Sequence, residues 1–113
     1  MVEREGNTLD RVFHALADPS RRAILGQLAT GERSVSELAE PLPISLAAVS
    51  KHIQVLEQSG LIHRSVQWRT HVCSLNAKPL AEAQRWLSFY EMFWNERFDA
   101  LEDLFRAKKK HKK

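Results

Sequence analysis

Residues 34–75 constrain this chain more than any other stretch: SVSELAEPLPISLAAVSKHIQVLEQSGLIHRSVQWRTHVCSL. A short helical segment is expected at Ser34–Glu40, and Pro41 and Pro43 break it. A second, longer helix is expected from a Ser cap at Ser45 to a stop at Gly60. Leu61–Val66 and Thr70–Leu75 then read as two short strands, rich in β-branched residues and joined by a turn holding Gln67, Trp68 and Arg69. Helix, turn, helix and hairpin in that order is an arrangement that can present one helix to the major groove of DNA.

The second helix carries a candidate contact face. Val49, Ile53 and Leu56 share one side and are expected to meet the core. The opposite side carries Ala47, Ala48, Ser50, Lys51 and Gln54, with no acid among them. Small side chains allow close approach to bases, and Ser, Lys and Gln can donate to phosphates or base edges. An ordinary solvated face fits the same residues. In the hairpin, Arg64 and Arg69 are candidate DNA contacts, with His71 nearby. Trp68 has two readings, a DNA contact or the cap of a local apolar cluster.

Charge sharpens this picture. The formal +3 comes from 17 basic and 14 acidic residues. Six of the basic ones, Arg106, Lys108, Lys109, Lys110, Lys112 and Lys113, lie in the last eight positions, so the remaining body is net acidic. Within that body, residues 44–79 hold Lys51, Arg64, Arg69 and Lys78 against the single acid Glu57. A basic segment in an acidic body suits an anionic partner. Residues 106–113 are expected to form a basic disordered tail, which either adds non-specific affinity for DNA or lies outside the functional body.

The remaining elements follow from caps and periodicity. Residues 1–8 are expected to be flexible, and residues 9–105 to form one domain. Asn7 or Thr8 can cap a first helix, Leu9–Ala17, with Val12, Phe13 and Leu16 on one face. Asp18 and Pro19 restart the chain as N-cap and first helical residue of a helix to about Ala29, with Ile24, Leu25 and Leu28 inward. Its Arg21 and Arg22 are open to solvent, an ion pair or a phosphate. From Asn76 and Pro79 a single long helix is expected to reach about Phe105, because no Gly or Pro interrupts it. It is apolar over too broad an arc for one packed side: Trp86, Tyr90, Phe93, Trp94, Phe98 and Leu101 all lie on it. The simplest cover is a second copy in a two-fold homodimer. An aromatic ligand box is the rival.

Several function classes are disfavoured. No Ser/His/Asp or Cys/His set has a plausible spacing and no Gly-rich phosphate loop is present, so an enzyme is not expected. No metal site or cofactor is expected from one Cys and five scattered His. No apolar run spans a bilayer and no secretory signal is evident, so no membrane partner and a cytoplasmic location are expected.

Three blocks resemble one bacterial family: HALADPSRRAILGQL (14–28), SVSELAEPLPISLAAVSKHIQVLEQSGLI (34–62) and HVCSLNA (71–77). Together with the aromatic C-terminal segment, they make the chain similar to repressors of the ArsR (arsenic-repressor) family over about residues 9–105. The resemblance implies a mainly α fold with a small β-hairpin, a winged helix-turn-helix of about five helices plus a two-stranded wing. It implies a homodimer on palindromic, double-stranded operator DNA, released by an inducer the sequence does not name. Its recognition helix would run about Ala47–Gln54. Ser50, Lys51 and His52 match positions that face DNA, and Arg69 matches the wing arginine. The first and last helices would form the dimer interface, bringing in Val12, Phe13 and Leu16. Two departures stand out. The helix at 34–40 lacks the paired cysteines of metal-sensing members, and residues 80–105 lack the His of zinc-binding ones. At the wing turn Trp68 replaces the usual Gly, although Trp disfavours positive φ. Two alternatives remain: a thiol- or metal-responsive sensor of the same fold using Cys73, and a winged-helix module that binds protein.

Overall fold

The structure, a computed structural model, describes residues 2–111, with side chains over residues 8–106. It divides into two compact units, one ending at Glu82 and the other beginning at Ala83.

The first unit starts with α1 (Val2–Leu16) and α2 (Pro19–Leu28). Asp18 caps α2 as its sequence implies, accepting from the backbone N–H of Ser20 at 2.8 Å and of Arg21 at 3.2 Å. Strand β1 (Arg33–Ser34) leads directly into α3 (Val35–Ala39). Ser34 and Glu37 close a capping box there: the Glu37 N–H donates to Ser34 Oγ, and the Ser34 N–H donates to Glu37 Oε1. The turn through Pro41 and Pro43 brings the chain to α4 (Leu46–Gln58), whose first turn is capped by Ser45 Oγ accepting from Ala48 N–H at 3.1 Å.

The end of α4 is written as clearly. Gly60 adopts φ 79°. The Leu61 N–H reaches back to Leu56 O and the Gly60 N–H to Glu57 O, both at 3.0 Å, which is a Schellman closure. Strands β2 (Ile62–Gln67) and β3 (Thr70–Leu75) follow, antiparallel, in the register Ile62↔Leu75 through Gln67↔Thr70. Asn76 then ties the end of the sheet to α4, donating through Nδ2 to Gly60 O at 2.8 Å.

One core holds this unit. Ala15, Ile24, Leu25, Leu28, Leu38, Val49, Ile53, Leu56, Leu61, Ile62 and Cys73 are all buried, and Val35, Leu42, Ile44, Val55, Leu75 and Leu80 pack around them. The inward faces expected for α2 and α4 are therefore the buried ones. Each large side chain so buried contributes about 1.5–3 kcal/mol.

Four features differ from expectation. The helix-turn-helix and wing order holds, but among the described residues there are six helices and a three-stranded sheet of order β1-β3-β2. Two residues of β1 are too few to show a period of two in sequence. The first helix begins at Val2, so Asn7 and Thr8 lie within it and not at its cap. No Pro interrupts residues 2–8, and Glu3, Arg4 and Glu5 favour helix, so the helix runs through the segment expected to be flexible against the weaker propensities of Gly6, Asn7 and Thr8.

The expected single C-terminal helix is two, α5 (Lys78–Ser88) and α6 (Glu91–His111). Ser88 Oγ donates to Gln84 O at 2.8 Å, competing for a helix carbonyl. The N–H groups of Phe89, Tyr90 and Phe93 then bond three residues back, to Trp86, Leu87 and Tyr90, tightening the backbone into turns. Finally, α6 runs through His111, so the basic tail is helical from Arg106 to that point, and Lys112 and Lys113 lie outside the described residues. Among the described residues no helix is long and apolar enough to cross a membrane.

Candidate nucleic-acid interface

Helix α4 presents a clean division. With Val49, Ile53 and Leu56 fully buried, Ala47, Lys51 and Gln54 stand exposed at i, i+4 and i+7 on one outer stripe. Ala48 and Ser50 flank that stripe and are half-buried. Leu46, which the sequence reading passed over, is 57% exposed beside Ala47. Its spacing to Val49, Ile53 and Leu56 continues the core stripe, but the core stops short of the helix's first residue. An exposed Leu there is an apolar group of the kind that meets a thymine methyl.

His52 does not join the outer stripe. Its ring turns toward the start of α2, where Arg21 Nη1 lies 3.3 Å from Nδ1. Its Nε2 faces Asp18 Oδ1 at 4.0 Å. Arg21 itself is held by Ala15 O at 2.8 Å and His14 O at 2.9 Å, and Arg22 donates to Leu16 O at 2.7 Å. The two arginines thus satisfy the last carbonyls of α1, where positive charge is also favoured. Burial raises the Asp18 carboxyl, but the N–H groups of Arg21 and Ser20 and the charges of His52 and Arg21 outweigh it and hold it below its usual range. His52 positions α4 against α2.

Arg64 is likewise engaged within the chain. Its Nη2 donates to Glu57 Oε1 at 2.9 Å, an ion pair that joins α4 to β2. Its Nε is buried and without a hydrogen-bond partner. Arg64 is thus tied to Glu57 within the chain and does not stand on the outer stripe of α4. Cys73 lies opposite Arg64 in the sheet and is fully buried. Burial pushes its thiol up, partly opposed by the charge of Arg64. A buried thiol with a raised pKa is unreactive, which leaves the thiol-sensor reading without support. Among the described residues no three His, Cys, Asp or Glu could hold a metal together.

The wing tip is the least ordinary part of the site. Gln67 pairs with Thr70, so Trp68 and Arg69 alone form the loop. Trp68 has φ 63°, the only non-Gly residue at positive φ among those described. Positive φ at the first loop position alone is the pattern of a type II′ turn, whose usual occupant is Gly. Trp68 thus takes the backbone conformation that Trp was expected to resist. Arg69 beside it is exposed.

The expected dimer residues divide. Val12 is fully buried within the chain and has no surface left for a partner, and Leu16 is half-buried against the core. Phe13 is 36% exposed. In the second unit Trp86, Tyr90, Phe93, Trp94, Phe98 and Leu101 are all exposed in the single chain. Trp86 and Tyr90 pack ring to ring at 5.2 Å, and Arg97 lies over the Phe93 ring at 4.8 Å. A cavity of about 340 Å³ between α1 and the far half of α4 is lined by Arg11, His14, Val55, Gln58 and Ser59. Ser59 is buried there with its hydroxyl already donating to Leu56 O.

A core drawn from α1 to α4, a helix-turn-helix and a hairpin wing together define a winged helix-turn-helix protein. A helix-turn-helix domain model matches residues 16–65. The transcriptional repressor SdpR of Bacillus subtilis is 35% identical over 81 residues, covering 70% of this chain and 88% of that protein. The HTH-type transcriptional regulator Rv2034 of Mycobacterium tuberculosis is 51% identical over 53 residues, a match that spans 50% of its length. Among solved structures, that of an ArsR family transcriptional regulator superposes with a TM-score of 0.73 at 40% identity, covering 80% of this chain and 93% of that one. An ArsR-like transcriptional regulator from Rhodococcus sp. RHA1 gives 0.67 at 31%, covering 87% and 92%. The chain belongs to the ArsR family of winged-helix transcriptional regulators.

Proposed function

We propose that this protein is a cytoplasmic repressor that binds a palindromic DNA operator as a homodimer, without enzymatic activity. The observation that carries the reading is the outer stripe of α4. Ala47, Lys51 and Gln54 are exposed together, free of acids, on a helix fixed at both ends by caps and from behind by His52 and the Glu57–Arg64 pair. In this reading the stripe enters the major groove, Ser50 and Ala48 line its edges, and Arg69 follows the backbone from the wing. The broad aromatic surface of α5 and α6 joins two copies, so that two recognition helices meet half-sites about one turn, roughly 34 Å, apart. The similarity to SdpR, a transcriptional repressor, supports the direction of regulation.

The test is binding of the full chain to a labelled duplex from its own upstream region, followed by fluorescence anisotropy at increasing salt. Tight binding that survives competition by unrelated DNA and falls steeply with salt is expected. Equal affinity for unrelated DNA under competition, or none at low salt, overturns the operator reading.

A further inference from the structure

Resting on the DNA-binding reading above, we propose that Trp68 is itself a DNA contact, its indole packing into the groove that the wing meets beside α4. The ring is 99% exposed, so it gains almost nothing from the rest of the chain. The cluster-cap reading of this side chain is therefore excluded. Yet its backbone holds φ 63°, a conformation that Gly would adopt freely and Trp only under strain. A strained position filled by the largest side chain, with no packing in return, points to a use outside the chain.

The surroundings say what that use is. Arg69 shares the two-residue loop, and Val66, 61% exposed, sits on the neighbouring pair with exposed His71. No acidic residue occurs anywhere from Gln58 to Ala81. An apolar ring flanked by positive charge, on a hairpin without acids, is complementary to a polyanion with stacked bases and sugars. It fits a protein surface with acids less well, since that would leave the ring unused. Aromatic and apolar wedges of this kind enter the minor groove next to a cationic partner.

The experiment compares the full chain with Trp68→Gly and Trp68→Phe. Binding to the upstream duplex is measured across a salt series, and melting temperature without DNA. Trp68→Gly is expected to bind about tenfold more weakly with an unchanged salt slope, because no charge is lost. Trp68→Phe is expected to recover most of the affinity. The melting temperature of Trp68→Gly should not fall, because the strained φ is relieved. Acrylamide quenching adds a direct readout: DNA should shield a fluorescence component that is present in the full chain and missing from Trp68→Phe. Wild-type affinity in Trp68→Gly, or a loss matched by a lower melting temperature, overturns the inference while leaving the operator reading intact. Failure of the unaltered chain to bind at all overturns both.

Discussion

Asp18 shows how one short side chain can serve two elements. It caps α2 through the N–H groups of Ser20 and Arg21, and it faces His52 of α4 at 4.0 Å. Because its folded carboxyl lies below its ordinary value of 3.8, the unfolded chain takes up the proton first as acid is added. Its contribution is therefore complete above about pH 4 and is lost as pH falls through the lower folded value. Asp18→Asn keeps a competent cap but removes the titration. Urea midpoints should thus differ between the two proteins near pH 5, and the gap should shrink below about pH 4. A gap that widens in acid would show that the charge at Asp18 is not stabilising. The Asp-Pro cap was legible in the sequence because its hydrogen bonds span two and three residues. The neighbouring arginines were not. Arg21 and Arg22 act on carbonyls six and seven residues back, across a bend that only the folded chain supplies.

At the scale of elements, α4 is anchored by Ser45, by Gly60 and by Glu57, which holds Arg64 of β2. The first two could be read directly, since a Ser cap and a C-terminal Gly have local causes. The third could not, because the pair forms between helix and strand and has no local signal in the sequence. Lys51 and Arg64 should therefore separate cleanly on substitution. Lys51→Ala should weaken DNA binding on all sequences and reduce the slope of log affinity against log salt by about one, with little change in melting temperature. Arg64→Ala should leave that slope unchanged and lower stability by about 0.5–1 kcal/mol, the scale of a partly exposed ion pair with some stem packing. Anisotropy titrations at four salt concentrations and a thermal melt decide it. A reduced slope for Arg64→Ala would mean that it leaves Glu57 for a phosphate in the complex. The split of α5 from α6 was hidden for a different reason. Its cause is a serine hydroxyl and a run of tight turns at Phe89–Tyr90, and neither Gly nor Pro announces it.

The whole molecule poses a problem that one copy does not solve. Tyr90, Trp94, Phe98, Leu101 and Phe105 recur at spacings of four, four, three and four, and each is at least 39% exposed in the single chain. A stripe of that kind is the seam by which helices pair, and exposed aromatics in this number are unusual in a protein that works alone. Exposure in one chain also sorts the residues that can take part. Val12 is already buried, so Val12→Ala should lower the stability of each chain without changing its association. Phe98, central in the stripe and 62% exposed, is the decisive position. Phe98→Asp places a charge where the partner's stripe would lie and leaves the core of the first unit untouched. Sedimentation equilibrium should find a dimer for the unaltered chain and a monomer for Phe98→Asp at the same micromolar concentration. The melting temperature of the unaltered chain should rise with protein concentration, and that dependence should vanish in the variant. Operator affinity should fall by at least tenfold, because each half-site must then be bound without the other. A variant that remains dimeric would place the contact between copies elsewhere, and one that is monomeric yet binds with full affinity would remove the need for two copies altogether.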